Sequence, residues 1–408
     1  MTKPVVVMKF GGTSVATEEG RFALAQRIKK VQSEDKLPVV VVSAMGRKGM
    51  PYATDTLLGL VQDFPQSERE NDALASVGEI ISSIVVAGGL RARGIDALAL
   101  TGPDCGIYAT DTAQNAVITE IHTHKILGIL RDGGVPIVCG FQAISQDSGA
   151  IVTLGRGGSD TTACALGVSL NAEAVEIYSD VDGVMTADPR IVKDARVVGT
   201  IRADELYQMA QMGSKIVHTP AAELALKSGV ALYVKNTYTE HEGTCVVDMA
   251  SYRPGAVATA VVHTHDVSRF IVNLATAEGC SNHLKNQTAI YNALAENCIS
   301  LDMFTPADSK LLFTVASSST KRAEKCLADL GFSYRLSTQL SKVTLIGAGM
   351  HGVVGVIAKI STSLLSENID IYQVTDSNTT ISVLVASVDC DRAVAALHST
   401  FNLGATHA

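Results

Sequence analysis

Three polar turns along the chain carry the side chains that could do chemistry. The first, residues 9–14 (KFGGTS), sets a lysine beside two glycines whose backbone amides can approach an anionic ligand. This composition is typical of a phosphate cradle, although it matches neither the P-loop nor the dinucleotide-binding fingerprint. A tight turn without a ligand is the alternative interpretation.

The second turn, residues 155–162 (GRGGSDTT), leads into a segment of small residues that is predicted to be helical. Ser159 or Asp160 would make a good N-cap, and the amides of a first helical turn can bind a phosphate or a carboxylate. Capping alone needs no arginine, whereas the planar fork of Arg156 suits a carboxylate or phosphate. An anion site is therefore favoured over a purely structural cap.

The third turn, residues 179–190 (SDVDGVMTADPR), follows an apolar strand. In open α/β sheets ligands bind at the carboxyl ends of the strands, so a nucleotide or its magnesium ion is expected here. The turn is not an EF-hand, because Ile191 stands where the loop would need its glutamate.

Two further charged residues stand out. Glu79 lies in a helical stretch of otherwise apolar and small residues, where burial of a carboxylate is costly unless it meets a cation. A substrate ammonium or an internal lysine or arginine would meet that need. Lys215, in the sequence 213–215 (GSK), is either a second ligand-binding lysine or a solvated surface residue.

The elements that must position these side chains are short apolar runs alternating with helix-length segments between residues 5 and 247. Strands that are apolar throughout predict a sheet covered by helices on both faces. The fold class is therefore α/β, with a mostly parallel sheet sandwiched by helices in a domain spanning residues 1–247.

Beyond residue 255 an internal repeat predicts two smaller α+β modules, at 262–336 and 341–408. Each copy has a strand, a helix, a two-strand hairpin and a second helix, and an extra strand at 257–262 could complete the second module. The second hairpin is predicted at 370–374 and 381–385, joined by a polar turn at 375–379. The sequence 347–352 (GAGMHG) resembles a dinucleotide fingerprint, but a hairpin follows instead of a crossover, which favours a loop of a ligand-sensing module.

Composition excludes several classes of protein. The 408 residues are 47% hydrophobic and 18% charged, which predicts folded domains, and a net charge of -8 without a basic stripe disfavours nucleic acid as a partner. We expect no membrane span and no signal peptide, hence a cytoplasmic protein.

Eight cysteines without a C-x-x-C pair are expected to be buried small hydrophobic residues. The pairs His122/His124 and His263/His265 lack a third ligand nearby in sequence, so the sequence predicts no metal site formed by protein side chains.

Five motifs occur in one order, and together they resemble the aspartate kinases of the amino acid kinase family. They are 9–14 (KFGGTS), 43–46 (SAMG), 155–160 (GRGGSD), 180–190 (DVDGVMTADPR) and 213–215 (GSK). The tandem repeat resembles the paired ACT (βαββαβ) domains that this family carries. The resemblance implies an amino acid kinase-like fold and ATP-dependent phosphorylation of the β-carboxylate of L-aspartate to 4-phospho-L-aspartate. That reaction opens lysine (through diaminopimelate), threonine and methionine biosynthesis.

The resemblance also implies a role for each matching residue. Lys9 and Asp160 would be catalytic, with Asp160 either helping to bind the ammonium or ordering magnesium and lysine. Mg2+ would be held mainly by phosphate oxygens. Substrate-binding residues would be Ser43, Thr54, Glu79, Arg156, Gly157, Gly158 and Ser159, with Arg156 on a carboxylate and Glu79 on the α-ammonium. ATP-binding residues would be Lys9, Phe10, Gly11, Gly12, Ser179, Asp180, Met185, Thr186, Ala187, Asp188, Pro189, Arg190 and Lys215.

The second module would bind a feedback amino acid, which the resemblance leaves as lysine, threonine or diaminopimelate. The implied effector residues are Val354, Gly355, Asn368, Ile369, Thr375 and Asp376. The amino-acid sequences of residues 374–380 and 47–54 are most similar to those of the diaminopimelate-sensitive form. Assembly into a dimer or larger homo-oligomer through the ACT modules is also expected. A kinase of a glutamate-type substrate and a catalytically silent amino-acid sensor are the alternatives.

Overall fold

The computed structural model describes residues 3–212, 228–248, 257–274, 283–307, 309–350 and 352–405, which form two compact units. Unit 1 contains the described residues 3–184, 197–210 and 228–248. Unit 2 contains 185–196, 211–212 and the described residues from 257 onward.

Unit 1 is built on an eight-stranded sheet in the order β10-β12-β11-β9-β1-β2-β6-β3. Neighbouring strands are parallel except for the antiparallel pair β11 and β12. The strands are β1 (Val5–Phe10), β2 (Leu37–Val42), β3 (Ala97–Leu100), β6 (Val135–Cys139), β9 (Ala174–Ser179), β10 (Thr200–Arg202), β11 (Ala231–Asn236) and β12 (Thr244–Val247). The prediction of a mostly parallel α/β sheet is confirmed, and the central strands are buried as their apolar runs require.

Helices and a second, four-stranded sheet complete unit 1. The helices are α1 (Gly12–Ala16), α2 (Glu18–Ser33), α3 (Thr54–Gly59), α4 (Glu68–Arg91), α5 (His124–Arg131), α6 (Gly158–Ser169) and α7 (Ala203–Gln211), the last residue of which is assigned to unit 2. The small sheet has the order β5-β4-β7-β8, with β4 (Ile107–Ala109), β5 (Ile118–Ile121), β7 (Gln142–Ser145) and β8 (Ile151–Thr153). Phe10, Leu24 and Leu90 lie in one core between the large sheet and the helices α2 and α4.

Helix α4 is apolar and long. Its 24 residues have the length and composition of a membrane-crossing helix, but half of its most apolar window is buried inside the protein. It begins at a capping box in which Ser67 and Glu70 satisfy each other's backbone amides. Its buried residues include Val86, Ala87 and Leu90, which is the pattern of a core helix packed on a sheet.

Unit 2 contains a six-stranded sheet in the order β14-β15-β13-β16-β18-β17. Its strands are β13 (Ala260–Asn273), β14 (Asp302–Ala307), β15 (Lys310–Ala316), β16 (Tyr334–Ile346), β17 (Gln373–Asp376) and β18 (Thr380–Ala386), and its helices are α8 (His283–Glu296), α9 (Thr320–Asp329), α10 (Val356–Ser366) and α11 (Cys390–Thr400). The two copies of the repeat have separate hydrophobic cores, one around Phe270 and Phe313 and one around Val343 and Ile360.

The long strands β13 and β16 pass through both repeats. Residues 260–264 of β13 pair with 342–346 of β16, and its later residues pair with β15 and with 334–337 of β16. Residues 260–262, which lie ahead of the first repeat, therefore pair with the first strand of the second repeat, a pairing that the sequence had left open.

Three sequence expectations differ from the structure. The first strand of the second hairpin is Gln373–Asp376 rather than 370–374. Ser377 hydrogen bonds with Thr380 and closes the turn, so fewer residues are needed between the two strands of the hairpin. Cys298 is exposed and Cys245 half-buried, whereas the other five described cysteines are buried. Residues 185–196, assigned by sequence to the first domain, pack in unit 2 because Ala187 and Val192 belong to its core.

Two glycines in helices provide a test of this packing. A Cβ at Gly167 in α6 would lie 2.4 Å from Cγ2 of Val175 on β9, whereas a Cβ at Gly128 in α5 would meet no atom within 4 Å. We expect Gly167→Ala to lower the free energy of unfolding by about 1–3 kcal/mol through overpacking. Gly128→Ala should raise it by about 0.5–1 kcal/mol through helix propensity. Urea unfolding of both variants measures the difference, and equal stabilisation by the two would contradict the close α6–β9 contact.

Candidate functional site

The end of β1 is held against the loop after β2 by backbone contacts. Gly46 donates its amide to the carbonyl of Gly12 at 2.9 Å, and a Cβ at Gly12 would lie 2.4 Å from the Ala44 carbonyl oxygen. Only glycine fits there without a backbone shift. The predicted glycine turn is therefore fixed in place by the segment that contains Ser43.

The second glycine turn leads into α6 in a different way from the prediction. Gly157, in the left-handed region at φ 68°, is the N-cap, and no side chain caps the helix. The expectation that Ser159 or Asp160 would cap it is wrong. The carboxylate of Asp160 is instead engaged by Lys9, at 2.7 Å from its Nζ, and both side chains are largely buried.

Lys9 and Arg156 line one cavity of about 850 Å³ in unit 1, which we call the Lys9 cleft. The cleft is lined by both residues that were predicted from the sequence to be catalytic and by all seven that were predicted to bind the substrate. The predicted residues that line it are Lys9, Gly12, Ser43, Thr54, Glu79, Arg156, Gly157, Gly158, Ser159 and Asp160. The fold thus brings together segments from β1, α4, α6 and the loops after β2 and β8.

The Arg156 side chain lies on the wall of this cleft. It is exposed, and none of the ion pairs found within the described ranges involves it. Its guanidinium therefore presents five donors in a planar fork to the cleft, and no carboxylate of the described residues competes for them. This arrangement suits an incoming carboxylate or phosphate.

Glu79 is the buried carboxylate of the cleft. Its side chain is 3% exposed, and Oε1 accepts a hydrogen bond from the Ala44 amide at 3.0 Å. Within the part of the chain that the structure describes, Oε2 has no hydrogen-bond partner. Burial raises the pKa of Glu79 to about 8, with the Ala44 amide acting in the opposite direction. An unpartnered oxygen in a lined cavity is well suited to accept from a cationic ligand.

Sequence analysis missed several polar residues of the cleft. Asp72 is 1% exposed, and its carboxylate accepts hydrogen bonds from the Gln114 amide and from both the amide and the hydroxyl of Thr153. It fixes the segment that leads into the second glycine turn. The signal was present, because Asp72 precedes Glu79 by two helical turns on the same face of α4. The other unpredicted lining residues with polar side chains are Arg47, Lys48, Asp55, Asn71, Gln114 and Thr153.

The residues assigned to ATP in unit 1 lie at the ends of β1 and β9. Gly11 donates its amide to the Tyr178 carbonyl at 3.3 Å, and the buried ring of Phe10 stacks on Tyr178 with 4.6 Å between centroids, so only the Phe10 backbone can meet a ligand. Ser179 ends β9, and the carboxylate of Asp180 pairs with Arg47 at 2.8 Å.

The remaining residues assigned to ATP lie elsewhere. Lys215 is outside the described residues. Met185, Thr186, Ala187, Asp188, Pro189 and Arg190 belong to unit 2. There the Thr186 hydroxyl and the His398 ring are 2.9 Å apart, and Asp188 pairs with Arg190. Their assignment to ATP stays a prediction.

Unit 2 has a cavity of about 370 Å³ beside the start of α10. Two of the six predicted effector residues, Gly355 and Asp376, line it together with Met350 and Ser377. Val354 is 98% exposed, whereas Ile369 packs in the core of the second repeat. Asn368, at φ 55°, and Thr375 are not among its lining residues.

Comparisons with known proteins agree with this architecture. The model of the amino acid kinase family matches residues 4–236, and that of the ACT domain matches 336–399. Aspartokinase 1 of Bacillus subtilis is 40% identical over 406 residues, which cover 98% of this chain and 99% of that protein. The chain belongs to the aspartokinases of the amino acid kinase family.

Solved aspartokinase structures share the fold. The aspartate kinase of Clostridium acetobutylicum superposes with a TM-score of 0.80 at 20% identity, covering 97% of this chain and all of that one. Escherichia coli aspartokinase III, solved in complex with aspartate and ADP, superposes with a TM-score of 0.75 at 22% identity, covering 98% and 100%. The predicted family and fold class are thus confirmed.

Proposed function

We propose that this aspartokinase transfers the γ-phosphoryl group of ATP to the β-carboxylate of L-aspartate in the Lys9 cleft, giving 4-phospho-L-aspartate and ADP. One observation carries the proposal: Lys9, Arg156 and the unpartnered carboxylate oxygen of Glu79 line the same cavity. These three charges match a phosphate, a carboxylate and an ammonium.

Aspartate would be oriented by two of these groups. The fork of Arg156 binds one carboxylate in a bidentate manner, and Glu79 accepts from the α-ammonium. The attacking carboxylate needs an oxygen that is free to approach phosphorus, so we assign Arg156 to the α-carboxylate. With both ends of the amino-acid group fixed, the β-carboxylate is left to face the phosphate.

Lys9 would act on the transferring group. An oxygen of the β-carboxylate forms a bond to the γ-phosphorus while the bond to the β,γ-bridging oxygen breaks and ADP leaves. The carboxylate is already ionised at neutral pH, so the step needs no general base. Positioning and charge neutralisation are then the main requirements, and the ammonium of Lys9, held by Asp160 at 2.7 Å, meets the second.

Magnesium would accompany the nucleotide. This ion prefers oxygen ligands and is commonly bound by one or two carboxylates together with substrate phosphates. Asp160 lies in the cleft beside Lys9, where the phosphates are placed, so it is the carboxylate that would reach the ion. The ion, when bound, would neutralise charge on the phosphates.

Unit 2 would supply regulation. We assign the cavity at Gly355 and Asp376 to an amino-acid effector, since the carboxylate of Asp376 is exposed and can meet an ammonium. The E. coli enzyme was also solved with lysine and aspartate, and lysine, threonine and diaminopimelate are the effectors to test. Assembly of the ACT modules into a homodimer or a larger oligomer belongs to the same proposal.

The activity assay is the direct test of the reaction. With ATP and magnesium, we expect aspartate to be phosphorylated far faster than glutamate, and Lys9→Ala to lower kcat at least about 100-fold because a charge on the transferring group is lost. Lys29→Ala, an exposed lysine on α2, is the matched control and should retain wild-type kcat. Preference for glutamate, or equal inactivity of wild type and Lys9→Ala, would contradict the proposal.

Glu79 predicts a pH dependence of substrate binding. Because its pKa in the free protein is about 8, Glu79 is mostly protonated at pH 7 and becomes the charged partner of an ammonium as the pH rises. The KM for aspartate should therefore fall between pH 6.5 and about 8.5, and Glu79→Gln should raise that KM and remove the fall. Glu68→Gln, exposed at the start of α4, should behave as wild type. An unchanged KM profile in Glu79→Gln would remove this role.

A further inference from the structure

Unit 2 contains a cluster of three different metal-ligand types outside the Lys9 cleft. A ring nitrogen of His265, the sulfur of Cys390 and a carboxylate oxygen of Asp391 all lie within 4.8 Å of one another. His265 comes from β13, whereas Cys390 and Asp391 begin α11. His265, one member of the His263/His265 pair, thus has a thiol and a carboxylate from a distant part of the chain beside it.

The backbone of β13 is adapted at this point. The pairing of β13 with β16 shifts register between Thr264 and Val267, and Asp266 adopts a left-handed φ of 59°. This irregularity accompanies the exposure of His265 at the sheet surface. Bulges of this kind commonly redirect a side chain at a functional position.

Hydroxyl groups adjoin the cluster, and the Ser341 hydroxyl is a hydrogen-bond partner of both His265 and the Cys390 thiol. The Nδ1 atom of His265 is 3.1 Å from the Ser341 hydroxyl, which is itself 2.9 Å from the hydroxyl of Ser387. Histidine ligands usually have their second ring nitrogen fixed by such a hydrogen bond, which orients the ring toward the metal.

The three ligands differ in their access to solvent. Cys390 is fully buried, and burial raises the pKa of its thiol to about 11, whereas His265 and Asp391 are exposed. The cysteine therefore forms the floor of the cluster, and the other two side chains form its open side.

We propose that His265, Cys390 and Asp391 form a zinc site, with a water molecule as the fourth ligand. Nitrogen, thiolate and carboxylate donors are the set that tetrahedral Zn²⁺ takes in proteins. Zinc–ligand bonds of about 2.0–2.3 Å place the ligand atoms of a tetrahedral site about 3.3–3.8 Å apart. The three ligand atoms lie within 4.8 Å of one another, so side-chain shifts of about 1 Å would bring them to these distances. On binding, the S–H bond of Cys390 breaks, its proton passes to solvent, and a zinc–sulfur bond forms.

Zinc in this position would join the start of α11 to β13 within unit 2. Because the ion binds the folded arrangement, it should stabilise this unit against unfolding. The site contains none of the residues of the Lys9 cleft, so this inference is independent of the proposed reaction.

Cobalt titration of the metal-free full-length chain tests the site. We expect one Co²⁺ per chain with a near-ultraviolet thiolate-to-cobalt absorption band, and displacement of that band by one equivalent of Zn²⁺. Cys390→Ser should abolish the band, and His265→Ala should weaken zinc binding at least tenfold. Zinc should also raise the Tm of wild type but not that of either variant.

Two matched controls use the same residue types outside the cluster. Cys298→Ser removes an exposed cysteine and His122→Ala removes a histidine of the other His-x-His pair, and both should bind cobalt as wild type does. His265 is exposed, so its variant tests the proposal even if Cys390→Ser fails to fold. Absence of a thiolate band in wild type, or unchanged zinc affinity in His265→Ala, would overturn the site and leave adventitious binding only.

Discussion

The ion pair between Lys9 and Asp160 is the interaction on which the candidate active site depends. It joins the end of β1, at the centre of the large sheet, to the first turn of α6, with 2.7 Å between the charged atoms. Both side chains are largely buried, so removing one charge would leave the other uncompensated and would be strongly destabilising. The pair therefore keeps two glycine turns, far apart in sequence, at one cleft.

Much of the fold could be predicted from sequence because its signals are local. Uninterrupted apolar strands such as Val39–Val42 specify a sheet buried on both faces, and the repeated order of elements specifies the two modules of unit 2. Glu79 was identifiable for a related reason, since a carboxylate within an apolar helical stretch has no favourable place without a cation.

The remaining features depend on contacts that no local pattern encodes. Asp160 could have capped α6 or paired with a lysine, and only the position of Lys9 in the folded sheet decides between them. Residues 185–196 pack with unit 2 because of apolar contacts made by Ala187, which the polar sequence around it does not reveal. His265 gains its neighbours Cys390 and Asp391 in the same way, through tertiary structure.

The central claim is that aspartate is held by the guanidinium fork of Arg156 beside the phosphates at Lys9. Arg156→Lys keeps the charge and loses the bidentate geometry, so equilibrium titration should show aspartate affinity falling at least tenfold while affinity for a non-hydrolysable ATP analogue stays unchanged. Arg131→Lys, exposed at the end of α5, is the control and should leave both affinities unchanged. Unchanged aspartate affinity in Arg156→Lys, or an equal loss for both ligands, would contradict the account.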